Sequence, residues 1–99
     1  MEVEKLIINW GIIGTGKIAK TFTEDFIDVK NAKILGVASR SQEKADEFAH
    51  RYNIERAYDN YEKLAHDNDI DVVYIATPHS MHYENVKLVL NNNKGSRMD

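Results

Sequence analysis

The glycine-rich stretch at residues 10–19 is the feature that most constrains the fold of this chain. An apolar run over residues 6–13 ends in glycines, and a helical pattern follows at once. Gly14, Gly16 and Ala19 have the spacing G-x-G-x-x-A, which is typical of a dinucleotide-binding turn between a strand and a helix. In such a turn the first glycine bends the chain, the second admits a pyrophosphate, and the alanine allows close packing.

The same turn supplies the first candidate cofactor contacts. Unpaired N–H groups and the positive end of the helix dipole meet at the start of the helix, and both favour bound phosphate. The predicted phosphate-binding residues are Gly14, Thr15, Gly16, Lys17 and Ile18. The motif alone is weak evidence, so its value depends on whether the remaining residues build the fold that it requires.

The remaining sequence predicts an alternation of strands and helices. Strands are predicted at residues 6–13, 32–39, 56–58 and 71–76. Helices are predicted at residues 17–28, after a cap at Ser41 with an apolar face that reaches Tyr52, from the capping box at Asp59 to about residue 66, and at residues 80–90. Alternation at this spacing is typical of parallel strands joined by right-handed helical crossovers. We therefore predict an α/β fold, with a Rossmann-type parallel sheet covered by helices on both faces and truncated after the fourth βα unit.

Local signals refine two of these helices. Ser41 is a candidate N-cap for the second helix, and Asp59 with Glu62 has the spacing of a capping box for the third. In the first helix an apolar residue recurs every fourth position, which predicts one buried stripe. The members of this stripe are Ile18, Phe22 and Phe26.

Composition excludes several classes of protein. The 99 residues suffice for one small domain, and 42% hydrophobic with 29% charged residues is ordinary for a soluble chain. A net charge of −3 with no basic block argues against nucleic-acid binding. The absence of cysteine removes thiol catalysis and disulfides, and it suits a cytoplasmic protein. No apolar run reaches membrane-spanning length.

The end of the second strand predicts which dinucleotide is bound. An NAD-selective site places an acidic residue there for the ribose 2′-hydroxyl, but this chain has Ser39, Arg40 and Ser41. Arg40 suits a 2′-phosphate and the adenine face, the serines can donate hydrogen bonds, and Lys44 adds charge. We predict NADP(H) as the cofactor, with NAD possible. The alternative is that Arg40 is a solvated loop residue and the serines only cap the helix.

The loop after the fourth strand supplies the remaining candidate contacts. Ligands of parallel sheets bind beyond the carboxyl ends of the strands, so Thr77, Pro78, His79 and His82 are expected beside the nicotinamide half. His82 is interpreted as a structural residue or a cofactor contact in preference to a general base. A metal site built on the two histidines and Glu84 is disfavoured because no third protein ligand is evident, and no metal ligand is assigned.

Four motifs in order resemble one enzyme family. They are Gly-Ile-Ile-Gly-Thr-Gly-Lys-Ile-Ala at 11–19, Val-Ala-Ser-Arg-Ser at 37–41, Tyr-x-x-Tyr-Glu-x-Leu at 58–64 and Asp-Val-Val-Tyr-Ile-Ala-Thr-Pro-His-x-x-His at 71–82. Over residues 7–94 the chain resembles the Gfo/Idh/MocA oxidoreductases. The resemblance implies a first domain that binds NAD(P), a second α/β domain that shapes the substrate site, and hydride transfer to or from a sugar, polyol or related alcohol.

The chain departs from that family after residue 94. Family members continue into a strand ending in Glu-Lys-Pro, whose lysine moves the proton, and that tripeptide does not occur here. We therefore expect residues 1–94 to form an incomplete NAD(P)-binding domain, and residues 95–99 to be a tail foreign to the family, from cloning or a frameshift. Lys94 is not assigned the role of the catalytic lysine, and no catalytic residue is assigned.

Two functions follow from these features. The first is the NADP-binding domain of an oxidoreductase, with the substrate domain and the catalytic segment outside this chain. The second is a dinucleotide-binding or regulatory module without catalysis. A sheet edge left uncovered by missing strands also predicts a homo-oligomer.

Overall fold

The computed structural model describes residues 7–26, 31–77, 79–92 and 94–98, with the side chains of 79–83 and 96–98 outside that description. Strands and helices alternate along the chain. Their bounds are β1 (Ile8–Ile13), α1 (Lys17–Asp25), β2 (Ala32–Ala38), α2 (Gln42–Tyr52), β3 (Arg56–Tyr58), α3 (Tyr61–Ala65), β4 (Val72–Ile75), α4 (His79–Asn91) and β5 (Gly95–Met98).

All the strands pair in parallel in one sheet of order β3-β2-β1-β4-β5. The chain builds outward from β1 through β2 to β3, and then crosses to β4 on the other side of β1. The strand order therefore reverses between β1 and β4, which is the point where open parallel sheets bind their ligands. The predicted fold class is confirmed.

The sheet has one strand more than the sequence predicted. Residues that the sequence assigned to a foreign tail form this strand, β5, which pairs with β4 from Val72↔Gly95 to Ile75↔Met98. Backbone N–H and C=O groups along an edge strand pair with an extended segment whatever its side chains. A short polar segment such as Gly-Ser-Arg-Met carries no hydrophobic period, so the pattern alone did not reveal this strand.

Helices cover both faces of the sheet. One apolar cluster joins Ile12 of β1 and Val37 of β2 to Phe48 of α2 and Ala19 of α1. Ile13, the next residue of β1, belongs to a second cluster with residues of α3 and α4. Because side chains alternate along a strand, the two clusters lie on opposite faces. We refer below to the α1–α2 face and the α3–α4 face.

The buried side of α1 differs from the predicted stripe. Ile18 is 46% exposed, while Ala19 is fully buried and Thr23 is 6% exposed. Phe22 and Phe26 are half-buried. Small residues on the inner side let the helix lie close to the sheet, and Ile18 is about 100° around the helix from Ala19. The predicted stripe is therefore wrong for Ile18.

One predicted helix cap is confirmed and one is wrong. Ser41 Oγ accepts a hydrogen bond of 3.3 Å from the backbone N–H of Lys44, as expected for the N-cap of α2. The cap of α3 is Asn60 and not Asp59, because Asn60 Oδ1 accepts at 2.8 Å from the N–H of Lys63. The helix begins one residue later than the capping box requires. Asp59 instead pairs with Lys63 Nζ at 2.9 Å.

A buried carboxylate ties β3 to the loop that leads into β4. Arg56 Nη1 donates to both oxygens of Asp67, at 2.9 and 2.7 Å, and the Tyr58 hydroxyl donates to Asp67 Oδ2. Only 8% of the Asp67 side chain is exposed. Burial acts to raise the pKa of Asp67, but hydrogen bonds from Tyr58 and Arg56 outweigh it and hold that pKa below its usual range. Burial and the bond to Asp67 raise the pKa of Tyr58 to about 12.

Replacement of Asp67 is expected to destabilise the fold in a pH-dependent manner. Asp67→Asn removes the charge that Arg56 and Tyr58 face, so urea unfolding at pH 7 should show a loss of about 1–3 kcal/mol. The folded pKa of Asp67 is the lower one, so its contribution is present above the unfolded pKa of about 3.9 and is lost as pH falls through the folded value. The variant and the wild type should therefore converge in acid.

Asp69→Asn is the matched control for this experiment. The Asp69 side chain is 63% exposed and also contacts Arg56, at 3.0 Å. An exposed ion pair contributes little, so this variant should lose less than about 1 kcal/mol. Equal losses in the two variants, or a loss for Asp67→Asn that stays constant down to pH 2, would contradict the proposed role of the buried carboxylate.

Candidate functional site

Gly14 makes the turn that leaves β1, and the fold itself requires a glycine there. Its φ is +107°, a conformation that other residues rarely adopt. A Cβ on Gly14 would lie 3.1 Å from the carbonyl oxygen of Ala76, just beyond β4. The N–H of Gly14 donates at 2.9 Å to the carbonyl of Ala38 at the end of β2. The turn therefore packs between the ends of β2 and β4, the two strands that flank β1.

Gly16 is the N-cap of α1, and nothing in the fold requires a glycine at this position. Its φ of −78° is open to any residue, and as the N-cap it makes no side-chain hydrogen bond to the helix. A Cβ on Gly16 would meet no atom within 4 Å. The missing side chain therefore leaves open space in front of the first N–H groups of α1. A phosphate group fits such a cradle, so these residues suit a dinucleotide.

The open space continues into a cleft of about 340 Å³ between α1 and α2. Its lining residues are Thr15, Gly16, Lys20, Lys44, Glu47, Phe48 and Arg51. The structure thus brings together three residues that the sequence predicted, Thr15, Gly16 and Lys44. Sequence reasoning missed Lys20 and Arg51, although the spacing of Arg51 from Lys44 and buried Phe48 places all three on one side of a helix.

The structure separates Arg40 from this cleft. The Arg40 guanidinium lies over the ring of Tyr61, 5.9 Å from its centroid, and Tyr61 packs against the cluster of the α3–α4 face. Lys44 lines the cleft on the α1–α2 face. Arg40 precedes the first turn of α2 and Lys44 lies within it, so the two side chains diverge. The two predicted cations therefore approach the end of β2 from different sides.

Both serines beside Arg40 have structural hydrogen bonds. Ser39 is 7% exposed, its N–H donates to the carbonyl of Tyr58 at 3.1 Å, and its Oγ accepts from the N–H of Ser41 at 3.3 Å. Ser41 caps α2, as the alternative interpretation expected. In both cases the side-chain oxygen accepts, and a hydroxyl that accepts can also donate. The capping role therefore does not exclude a role toward a ligand.

Thr77 lies beside the glycine turn, where the first and fourth strands end. Its Cγ2 would be 3.6 Å from a Cβ on Gly14, so these two predicted residues adjoin. Thr77 is 6% exposed and its Oγ1 accepts from Asn85 Nδ2 at 2.5 Å. Sequence reasoning missed Asn85, which is 4% exposed, and the available signal was a polar residue among the apolar positions of α4.

The other predicted residues fall into two groups. Lys17 and Ile18 line a separate hollow of about 330 Å³ beside Phe22 and Tyr74, and neither lines the cleft between α1 and α2. His79 and His82 lie in the first turn of α4. Their side chains, and all of Pro78, lie outside the described residues. Among the described side chains no group of three His, Asp or Glu residues is placed to hold a metal ion.

Comparison with known proteins identifies close relatives by sequence. The chain is 39% identical over 87 residues to trans-1,2-dihydrobenzene-1,2-diol dehydrogenase of Mus musculus, covering 86% of this chain and 26% of that protein. It is 36% identical over 95 residues to the D-xylose 1-dehydrogenase (NADP(+)) of Hypocrea jecorina, covering 84% of this chain and 24% of the relative. The chain therefore spans about a quarter of the length of the curated relatives it matches.

Solved structures share the fold. A 3-ketoreductase from Actinomadura kijaniata, determined with NADP, aligns with a TM-score of 0.88 and 25% identity, over 93% of this chain and 29% of that one. A scyllo-inositol dehydrogenase of Lactobacillus casei, determined with NAD(H), aligns with a TM-score of 0.84 and 22% identity, over 93% and 27% of the two chains. None of the described helices has the length and apolar character to cross a membrane.

The family comparison covers most of the chain. Residues 8–96 match the model described as the oxidoreductase family with an NAD-binding Rossmann fold, GFO_IDH_MocA. The match includes the glycine turn, the serine–arginine loop after β2 and the threonine loop after β4. This protein belongs to the Gfo/Idh/MocA oxidoreductases, and the chain forms their NAD(P)-binding Rossmann domain.

Proposed function

We propose that this chain binds NADP(H) in preference to NAD(H), as the cofactor domain of an oxidoreductase that acts on a sugar, a polyol or a related alcohol. The observation that carries the proposal is the open space before Gly16. The fold does not need a glycine there, whereas a pyrophosphate approaching the helix does. Support for the substrate class comes from relatives in sequence, which include a D-xylose 1-dehydrogenase (NADP(+)) and a scyllo-inositol 2-dehydrogenase (NADP(+)).

The residues of the glycine turn hold and orient the phosphates in this proposal. Gly14 fixes the direction of the chain, and the backbone N–H groups from Thr15 to Ile18 donate to phosphate oxygens at the positive end of α1. When bound, the nicotinamide donates or accepts a hydride. We expect Thr77, held by Asn85, and the residues Pro78, His79 and His82 to contact that half of the cofactor, because the switch point lies beside β4.

The end of β2 selects the phosphorylated cofactor in this proposal. No carboxylate stands at residues 39–41, so the usual acceptor for a 2′-hydroxyl is missing from this loop. Arg40 can donate two parallel hydrogen bonds to a phosphate and can also lie flat on adenine. Ser39 supplies a hydroxyl, and Lys44 supplies a second charge. Contact with Tyr61 limits the positions open to the Arg40 guanidinium before the ligand arrives.

A dinucleotide-binding or regulatory module without catalysis is the second candidate, because the glycine turn and the cleft beside it would serve such a module equally well. The domain boundary at residue 94, assembly into a homo-oligomer and a cytoplasmic location stay predictions. Sedimentation at several protein concentrations would test the oligomer. Turnover assays with a polyol and NADP, made on the protein expressed from the parent reading frame, would distinguish an oxidoreductase from a non-catalytic dinucleotide-binding module.

The two glycines should respond differently to the same substitution. Gly16→Ala is expected to leave the free energy of unfolding within about 1 kcal/mol of wild type, while affinity for NADPH falls at least about tenfold, since a methyl group occupies the cradle. Gly14→Ala should lower stability by about 1–3 kcal/mol, because its φ is positive and the Cβ meets the Ala76 carbonyl. Calorimetric titration and urea unfolding measure both effects. Unchanged NADPH affinity in Gly16→Ala would contradict the phosphate cradle.

Arg40→Ala tests the choice of cofactor. Loss of one charge-assisted contact to the 2′-phosphate should weaken NADPH binding by about 1.5–3 kcal/mol. Binding of NADH, which lacks that phosphate, serves as the internal control and should change much less. Titrations of wild type and variant with both cofactors give the comparison. Tighter binding of NADH than NADPH by the wild type, or an unchanged NADPH preference in the variant, would disprove the assignment.

A further inference from the structure

Positive charge collects in the cleft between α1 and α2. Three cations, Lys20, Lys44 and Arg51, line it together with one carboxylate, Glu47. The whole chain carries a net charge of −3, so this cluster opposes the average charge of the protein. Three cations and one carboxylate leave the cleft with an excess of positive charge, and such an excess in a concave site raises the local concentration of anions. The cleft therefore favours an anionic group.

The two helices set the backbone positions of these three cations. Lys20 is one turn into α1, and its N–H donates to the Gly16 carbonyl at 3.0 Å. Lys44 and Arg51 are two turns apart on the same side of α2, with buried Phe48 between them. The Arg51 guanidinium lies 5.6 Å from the ring centroid of Tyr52. Lys20 therefore lies on the wall of the cleft that α1 forms, and Lys44 and Arg51 lie on the wall that α2 forms.

The charges of the cleft differ in ion pairing from several cations elsewhere in the fold. Across the described residues, no salt bridge joins Lys20, Lys44 or Arg51 to a carboxylate. Lysines elsewhere do have such partners, as Lys33 has Glu55 at 3.6 Å and Lys63 has Asp59 at 2.9 Å. An anionic ligand is therefore a suitable partner for the charges of the cleft.

We propose that Lys20 and Arg51 are specificity-determining residues that, with Lys44, hold the ribose 2′-phosphate of NADP from the α1–α2 face. This inference rests on the proposed function. The cleft opens at Gly16, where the pyrophosphate is expected, and reaches the first turn of α2, where Ser41 bonds to Lys44. Arg40 approaches from the α3–α4 face. A phosphate beyond β2 would then lie between Arg40 on one side and the three cations of the cleft on the other.

Glu47 gives the proposal a second, opposite prediction. Glu47 lines the same cleft as the three cations. A like charge near a phosphate is unfavourable, so removal of the Glu47 charge should strengthen binding of the phosphorylated cofactor. The effects of all four residues should shrink as salt is added, because exposed charges are screened.

The test is a titration of the 99-residue chain with NADPH and NADH, at low and at 0.5 M salt. Lys20→Gln and Arg51→Gln should each weaken NADPH binding about 2- to 5-fold at low salt, the range expected for an exposed charge contact. Glu47→Gln should strengthen it by a similar factor. NADH binding should stay unchanged in all three variants. Lys33→Gln is the matched control, because it removes one positive charge at the start of β2, away from the cleft.

Four outcomes are distinct. Selective loss of NADPH affinity in the two cation variants, with a gain in Glu47→Gln, supports the inference. NADPH affinity unchanged in both cation variants overturns it and leaves the proposed function standing. Equal losses for NADPH and NADH also overturn it, since the charges would then act on the pyrophosphate. A wild-type chain that binds neither dinucleotide overturns both proposals. Urea unfolding of each variant excludes loss of fold as the cause.

Discussion

The turn at Gly14 is the constraint on which the rest of the structure depends. Its N–H binds the end of β2, and the space its side chain would fill is taken by the backbone beyond β4. Three parallel strands therefore end within a few ångströms of one residue. Since α1 begins only three residues later, its N–H groups must point across the same edge of the sheet. The location of the candidate phosphate site is a direct consequence.

The two glycines of this turn illustrate how a fold requirement differs from a ligand requirement. Gly14 is needed because φ is +107° and the carbonyl of Ala76 is close. Gly16 has an ordinary φ and empty space where its Cβ would be. A residue that is small without a reason inside the protein points to something outside it. That contrast makes Gly16 more informative about function than Gly14, although the motif treats them alike.

The two faces of the sheet divide the candidate cofactor residues. Arg40 contacts Tyr61 on the α3–α4 face, while Lys44 shares its cleft with Lys20 and Arg51 on the α1–α2 face. The Asp67 network is separate from both groups, and its buried hydrogen bonds serve the attachment of β3. Arg56 is thus paired with carboxylates, whereas no salt bridge among the described residues joins the cations of the cleft to a carboxylate. This division supports assigning the Asp67 network to stability and the cations of the cleft to ligand binding.

The sequence by itself determined the fold class and the site of the glycine turn, because apolar periodicity and turn chemistry are local properties. The family followed from the resemblance of four sequence motifs. It did not reveal β5, because an edge strand forms through backbone pairing that leaves no side-chain pattern. Nor did it show that Ile18 is exposed, or that Lys20 lines the same cleft as Arg51, which is 31 positions further along the chain. Only the tertiary structure decided these points, since which side of a helix meets the sheet depends on how the helices pack.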